Sequence, residues 1–256
     1  MYAQDDESKA HSQALNVTDD VLRRAGTAND ALPGSWLSYG RDQSETRYST
    51  LKQIDSSNAR RLGLAWSYVM GAGGGNQEGT PLMWNNTLYG ITTWSVVFAL
   101  DRRTGKELWK VDRGKELRSY STPFLVAVGD RFELIVNSNP RLDAYDPETG
   151  RLLWHADDHC RVPVPMPVSA NGVLYTSRGY NSGPFMAIRP GGKSDVSQTH
   201  VVWRIPTGAP YVSSVLYYQD LLYMATEVGI VRCIDPKTGE TVWVERIGGN
   251  FSASPI

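Results

Sequence analysis

The stretch Ala144-Tyr-Asp-Pro-Glu-Thr-Gly150-Arg-Leu-Leu-Trp154 recurs along the chain. Ala99-Leu-Asp-Arg-Arg-Thr-Gly105-Lys-Glu-Leu-Trp109 and Cys233-Ile-Asp-Pro-Lys-Thr-Gly239-Glu-Thr-Val-Trp243 repeat its spelling, and Ala187-Ile-Arg-Pro-Gly-Gly192, running on to Trp203, is a looser copy. The tryptophans follow one another at steps of 45, 49 and 40 residues, and Trp66 precedes Trp109 by 43. The spelling has a physical reading. Asp101, Asp146 and Asp235 cap a tight turn through the side chain, and the glycine four residues later supplies the positive φ that ends it. Each tryptophan then falls on an outer strand, where a large flat ring packs between neighbouring units.

A second marker keeps step with the first. Gly79-Thr-Pro-Leu82, Ser121-Thr-Pro-Phe124, Pro165-Met-Pro-Val168, Ser213-Ser-Val215 and Ser252-Ala-Ser-Pro-Ile256 each open a repeat. Between the markers lies an Asn, Gly or Asp turn followed by an apolar strand, as in Asn171-Gly-Val-Leu-Tyr175. A period of about 40–50 residues holding four short strands is the signature of a β-propeller blade. The expectation is an all-β chain with four full four-stranded blades at 76–110, 118–155, 162–204 and 209–244, and a partial blade from 250. Trp109, Trp154, Trp203 and Trp243 are expected buried at blade junctions. The third repeat departs from the pattern, and its insertion Lys193 to Thr199 predicts a longer outer hairpin.

The composition agrees. Of 256 residues 41% are apolar and 21% charged, the net charge is -1, and Gly 24, Trp 8 and Tyr 13 favour short strands and tight turns. No Lys/Arg run supplies a phosphate-neutralising face, which excludes a basic nucleic-acid binder. No apolar run reaches the roughly 18 residues of a membrane span. Residues 1–33 are acidic, end at Pro33-Gly34, and predict a mobile arm without a packed core or dense contacts from 1–12. One short helix is expected near 18–24, capped by Thr18, and a second over Ser56 to Leu62. Met1 to Gln13 lacks the apolar core of a secretory signal.

The repeat spelling Ala-x-Asp-x-x-Thr-Gly-x-x-x-Trp resembles that of the pyrroloquinoline-quinone (PQQ) dehydrogenases and of their non-enzymatic relatives, including the outer-membrane assembly lipoprotein of the β-barrel insertion machinery. Gly34-Ser-Trp-Leu-Ser-Tyr-Gly-Arg41, Leu51-Lys-Gln-Ile54, Leu62-Gly-Leu-Ala-Trp66, Gln77-Glu-Gly-Thr-Pro81 and Trp94-Ser-Val-Val-Phe-Ala-Leu-Asp101 are similar, in order and spacing, to the opening of quinoprotein alcohol dehydrogenases. The resemblance implies that Glu78, on the innermost strand of the first blade, contacts the quinone. It also implies PQQ and calcium as cofactors, a small alcohol as substrate, and a periplasmic or extracytoplasmic location. From about residue 115 the chain resembles the generic PQQ-like repeats. The family's adjacent Cys-Cys pair is missing, and its calcium ligands and catalytic Asp find no match.

Other clusters admit two readings. His155, Asp157, Asp158, His159 and Cys160 form a metal-like group or a solvated loop. Gly71-Ala-Gly-Gly-Gly75 lacks the Lys-Ser/Thr of a phosphate cradle and reads as a connector. Arg118, Arg141, Arg178 and Arg189 either rim the channel mouth, where they attract an anion such as a quinone carboxylate, or are solvated. Cys160 and Cys233 allow a disulfide or two buried thiols. Two functions follow. One is a quinoprotein dehydrogenase or its fragment, which oxidises an alcohol to an aldehyde or ketone. The alternative is a non-catalytic propeller that binds a protein partner at its face. The dehydrogenases resemble eight-bladed rings, so this chain is expected to form an open arc with one partial strand at each end, around Trp66 and at Phe251–Ile256.

Overall fold

The computed structural model describes residues 18–42, 44–71, 76–114, 118–180 and 183–255. The expectations for residues 1–12, for the glycines after Gly71 and for Ile256 lie outside the described residues. Blade 1 comprises β1 (Leu82–Trp84), β2 (Thr87–Ile91), β3 (Val97–Asp101) and β4 (Glu107–Val111). Blade 2 comprises β5 (Phe124–Val128), β6 (Arg131–Asn137), β7 (Arg141–Tyr145) and β8 (Leu152–Asp157). Blade 3 holds β9 (Val168–Ala170), β10 (Val173–Ser177), β11 (Phe185–Ile188) and, after the short β12 (Ser194–Asp195), β13 (Val201–Ile205). Blade 4 holds β14 (Leu216–Tyr218), β15 (Leu221–Ala225), β16 (Ile230–Ile234) and β17 (Thr241–Arg246). Each blade is an antiparallel meander, and the four sheets do not close into a ring.

The hydrophobic core lies between blades. Because successive side chains of a strand point to opposite faces, Leu134 and Val136 of β6 join the core with blade 1, whereas Ile135 joins the core with blade 3. Strands buried on both faces read as continuous apolar runs, as in Val97-Phe-Ala-Leu100.

The turn code sets the junction geometry. Trp66 donates its indole N–H to the Arg102 carbonyl at 3.0 Å, Trp109 to Pro147 at 2.9 Å and Trp203 to Pro236 at 2.8 Å. Each acceptor follows the turn aspartate of the next blade. The ring covers the turn glycine: a Cβ on Gly105, Gly150 or Gly239 would stand 2.5, 2.7 and 2.8 Å from it. These glycines thus have two reasons to be glycine, a φ of +68 to +77° and an indole lying against the α-carbon. Trp154 is fully buried but lacks such a turn, and its N–H goes to the Glu133 carboxylate at 2.7 Å.

The second marker also has a physical role. Hydroxyls and backbone groups at the blade starts bond across each junction: Thr80 N–H to Thr122 Oγ1 at 3.0 Å, Ser121 Oγ to the Pro165 carbonyl at 2.8 Å, and Met166 N–H to Ser214 Oγ at 3.1 Å. Ser213 Oγ continues the series to the Ala253 carbonyl at 2.9 Å.

Several expectations are corrected. Trp243 is 42% exposed, because no further turn among the described residues covers it. Residues 62–71 and 247–255 form no strand, although both segments are docked, so the partial strands at the two ends are absent from the described residues. The third repeat has the longer outer hairpin expected of it, with residues 189–200 joining β11 to β13, but the insertion does not stay with its own blade. It crosses to blade 2, where β12 pairs in parallel with β8 and Val196 is buried. The segment expected as a mobile arm is docked from residue 18 onward: α1 (Asp19–Arg24) packs Val21 and Leu22 against the core, and Asp30 forms a buried ion pair with Arg41 at 3.1 Å. Thr18 caps α1 as expected, accepting from the Val21 N–H. The second helix shrinks to a 3-10 turn at Ala59–Arg61, because Asp55 binds the Ser57 and Asn58 amides in a local turn instead.

Candidate functional site

Glu78 sits on the innermost segment of blade 1. That segment is pinned by Gln77, whose side chain donates to the Ile91 carbonyl at 2.6 Å and accepts from the Thr93 N–H at 3.2 Å. The Glu78 side chain is exposed at the meeting point of two cavities of about 720 and 520 Å³. Arg118, Arg161, Tyr180 and Tyr211 share the first with it; Glu45, Arg47 and the Ser252–Ser254 segment share the second. Tyr120, Val164 and Val212 line both.

The wall opposite Glu78 is assembled by Arg178, which is completely buried. Its Nε and Nη2 donate to the Asp158 carbonyl at 3.2 and 2.5 Å, and its Nη1 donates to Asn137 Oδ1 at 2.6 Å and the Ser138 carbonyl at 2.8 Å. One guanidinium thereby ties three loops together just before Asn139, Arg161 and Tyr180 enter the cavity. Burial lowers the Arg178 pKa from its ordinary value, and the nearby Cys160, Asp158 and Asp143 oppose that. Glu227 holds the fourth contributor by accepting the Tyr211 and Val212 N–H groups at 2.6 and 2.7 Å. Burial, the neighbouring Tyr180 and Tyr120, and Glu78 together raise the Tyr211 pKa, so this phenol remains a hydrogen-bond donor at neutral pH.

Of the four arginines singled out from the sequence, only Arg118 lines this cavity. Arg141 pairs with the buried Asp143 at 2.8 Å, Arg178 lies beneath the wall as its hub, and Arg189 is on the outer side of blade 3. Arg161, Asn139 and the three tyrosines escaped the sequence reading because they sit in loops that the repeat does not spell. The metal-like group disperses: His155 bonds Asp157 at 3.0 Å, Asp158 takes Arg204 at 2.8 Å, and Cys160 is buried with its thiol pKa raised mainly by that burial. Both cysteines are free thiols. Among the described residues no three His, Cys, Asp or Glu side chains converge on a point that could hold a metal ion.

Residues 36–125 match the family model described as glucose/ethanol/alcohol dehydrogenase, beta-propeller domain, labelled PQQ. The chain is related to the PQQ-dependent alcohol dehydrogenases. The dehydrogenase subunit of a quinone alcohol dehydrogenase from Gluconobacter oxydans (strain 621H) is 52% identical over 84 residues, which cover 33% of this chain and 11% of that protein. The first curated relatives are matched over 11 to 21% of their length. Among solved structures, the quinohemoprotein alcohol dehydrogenase from Comamonas testosteroni aligns with a TM-score of 0.72 at 20% identity, covering 96% of this chain and 45% of that one. BamB from Moraxella catarrhalis aligns at 0.52 and 17% identity, covering 66% and 51%. These last two likenesses are of fold alone.

The match to the PQQ dehydrogenase model covers Glu78 and Arg118 but ends before Asn139, Arg161, Tyr180 and Tyr211.

Proposed function

We propose that the chain is a quinone-binding propeller segment of the PQQ alcohol dehydrogenase type, with Glu78 as a cofactor contact, and that its reaction class is oxidation of an alcohol to an aldehyde or ketone. The observation that carries this is Glu78 itself, exposed where two inner-wall cavities meet, within the segment matched to the family. PQQ supplies a two-electron, hydride-accepting quinone when bound. The residues of this chain suit the organic group: the Arg118 and Arg161 cations oppose its carboxylates, the protonated Tyr211 donates hydrogen bonds, and Val162, Val164 and Val212 shed water from the wall. They do not suit calcium, which needs about 6–8 oxygen ligands, since among the described residues Glu78 is the only acid lining the larger of the two cavities. An extracytoplasmic location accompanies this reading.

The test is a PQQ titration of the folded protein, followed by alcohol oxidation with an artificial electron acceptor. Saturable uptake that weakens about tenfold in Glu78→Ala is expected, the size of one lost charge-assisted hydrogen bond. No uptake by correctly folded protein overturns the reading.

A second reading, a non-catalytic scaffold for a protein partner, is favoured by the outer strand of blade 4. There Val242, Trp243 and Val244 are all exposed, beside exposed Val228 and Ile247. Alcohol oxidation by the PQQ-loaded protein would dismiss it.

A further inference from the structure

The inner hairpins of blades 1, 3 and 4 each turn through two residues of positive φ: Asn85-Asn86, Asn171-Gly172 and Gln219-Asp220. A two-residue turn of this kind makes the flanking pair hydrogen-bonded. The residue before that pair then directs its N–H and C=O away from the hairpin. In blade 1 that residue is Met83, and both groups are filled: Met83 donates to the Trp36 carbonyl and accepts from the Trp36 N–H, each at 2.9 Å. The pairing carries Leu37 into the core beside Leu82 and Trp84. The equivalent residue of blade 3 is Ser169, which stands opposite Leu174 of β10. Strand β9 ends its sheet, and neither backbone group of Ser169 has a partner among the described residues.

Ser169 opens onto a groove of about 520 Å³, a volume suited to a short segment of chain. Residues 166–171 of blade 3 and 214–220 of blade 4 line it without a gap. Successive side chains of a strand point to opposite faces, so an unbroken run means that the groove meets the edges of the strands. Leu22, Phe124, Met166, Val168 and Val215 make its walls apolar. Among the described residues Asp42, Glu45 and Asp220 line it against a single cation, Arg23. The groove shares Glu45, Met166, Ser214 and Ser254 with the smaller cavity at Glu78, and no described residue with the cleft that Arg118 and Arg161 line.

We infer that this groove takes an extended segment of a partner protein, apolar with basic flanks, which pairs with the Ser169 edge of β9 as Trp36 pairs with Met83. An open strand edge is a template for another strand, whose main-chain bonds supply affinity and whose side chains supply specificity. The walls receive the apolar side chain, and the three carboxylates favour a lysine or arginine beside it. The inference goes beyond both readings above. It does not depend on PQQ, and it places the partner at the inner edge of blade 3, away from the outer strand of blade 4.

The probe is a fluorescein-labelled, C-terminally amidated peptide, Lys-Ser-Trp-Leu-Ser-Lys, built on the chain's own Ser35-Trp-Leu-Ser38. Its binding to the full chain, without quinone, is followed by fluorescence anisotropy, and the Ser169 amide by hydrogen exchange in NMR spectra. Saturable binding with slowed exchange at Ser169 is expected. N-methylation of the probe's tryptophan amide removes the donor to the Ser169 carbonyl and should weaken binding about tenfold. Glutamates in place of both lysines should also weaken it. Ser169→Pro removes the outward N–H at an edge position, where a strand accepts proline, and should abolish binding with the melting temperature kept. If that variant fails to fold, the N-methylated probe on the unaltered chain decides. Absence of binding, equal binding of the N-methylated probe, or unchanged exchange at Ser169 on saturation overturns the inference. None of these outcomes bears on PQQ uptake, so the quinone reading stands or falls separately.

Discussion

Trp154 donates its indole N–H to the carboxylate of Glu133, 2.7 Å away, where the other junction tryptophans meet a backbone carbonyl. The third repeat has Arg189-Pro-Gly-Gly192 in place of the aspartate turn, and Glu133 substitutes for the missing acceptor. The same carboxylate accepts the Gly191 N–H at 3.2 Å and pairs with Arg131 at 2.8 Å, while being wholly buried itself. Glu133→Ala leaves the indole and the Gly191 amide without acceptors. It should cost about 3–5 kcal/mol in urea unfolding, the range for breaking a buried charged network. Glu133→Gln keeps one acceptor oxygen and should lose about half as much. Equal losses in the two variants would show that packing, not the acceptor, sets this junction.

A comparison of two glycines isolates the indole contact. Gly150 and Gly172 have similar φ values of +70 and +74°, but only Gly150 has an indole over its α-carbon, with nothing within 4 Å of a Cβ on Gly172. Gly172→Ala should cost about 1 kcal/mol from the left-handed backbone alone. Gly150→Ala adds displacement of Trp109 and should cost about 2–4 kcal/mol in all. Matching urea midpoints for the two variants would contradict the proposed packing.

Trp243 offers the converse case. Exposed and without a covering turn, it should tolerate Trp243→Phe with a change within about 0.5 kcal/mol. Trp109→Phe gives up the bond to Pro147 and buried ring area, and should lose about 2–3 kcal/mol. Acrylamide quenching should accordingly fall when Trp243 is replaced and hardly change when Trp109 is. The opposite order would mean that the outer face of blade 4 is covered in solution.

Alkaline pH should weaken the fold in a defined window. Burial pushes the Tyr89 phenol up to about 12 from its ordinary 10, so the folded state holds this proton more tightly than the unfolded chain. Its contribution is intact below pH 10 and is lost as the pH rises from 10 through 12, at up to about 1.4 kcal/mol per pH unit. Tyr68 is also raised to about 12, by burial and then by the Glu107 carboxylate, and adds less because it is largely solvated. Urea unfolding at pH 8, 10 and 11.5 should show the decline, with a shallower slope in Tyr89→Phe. An unchanged slope in that variant would assign the decline to other groups.

The blades were legible in the amino-acid sequence because each is specified within one repeat. The Asp-x-x-Thr-Gly turn, the alternation along strands such as β6 and the tryptophan four residues after the glycine act over distances the chain spells locally, and four antiparallel sheets form. Glu78 stands out in the sequence for a different reason, the resemblance of its segment to one family segment, and its role as a cofactor contact is the proposal made above. Tertiary structure alone decided the rest. The insertion after Gly192 pairs with blade 2 instead of its own blade because its partner, the open edge of β8, is about 40 residues away in sequence. Arg178 reads as a rim charge and is instead a buried hub, since three of its four hydrogen bonds go to the carbonyls at 138 and 158, which carry no side-chain signature, and the fourth to Asn137 Oδ1. The cleft joins Arg118, Arg161, Tyr180 and Tyr211 from three inter-strand loops and a blade start. Hydrogen bonds donated by Asn139 and Arg178 and accepted by Glu227 bring those residues together, and such convergence has no period to read.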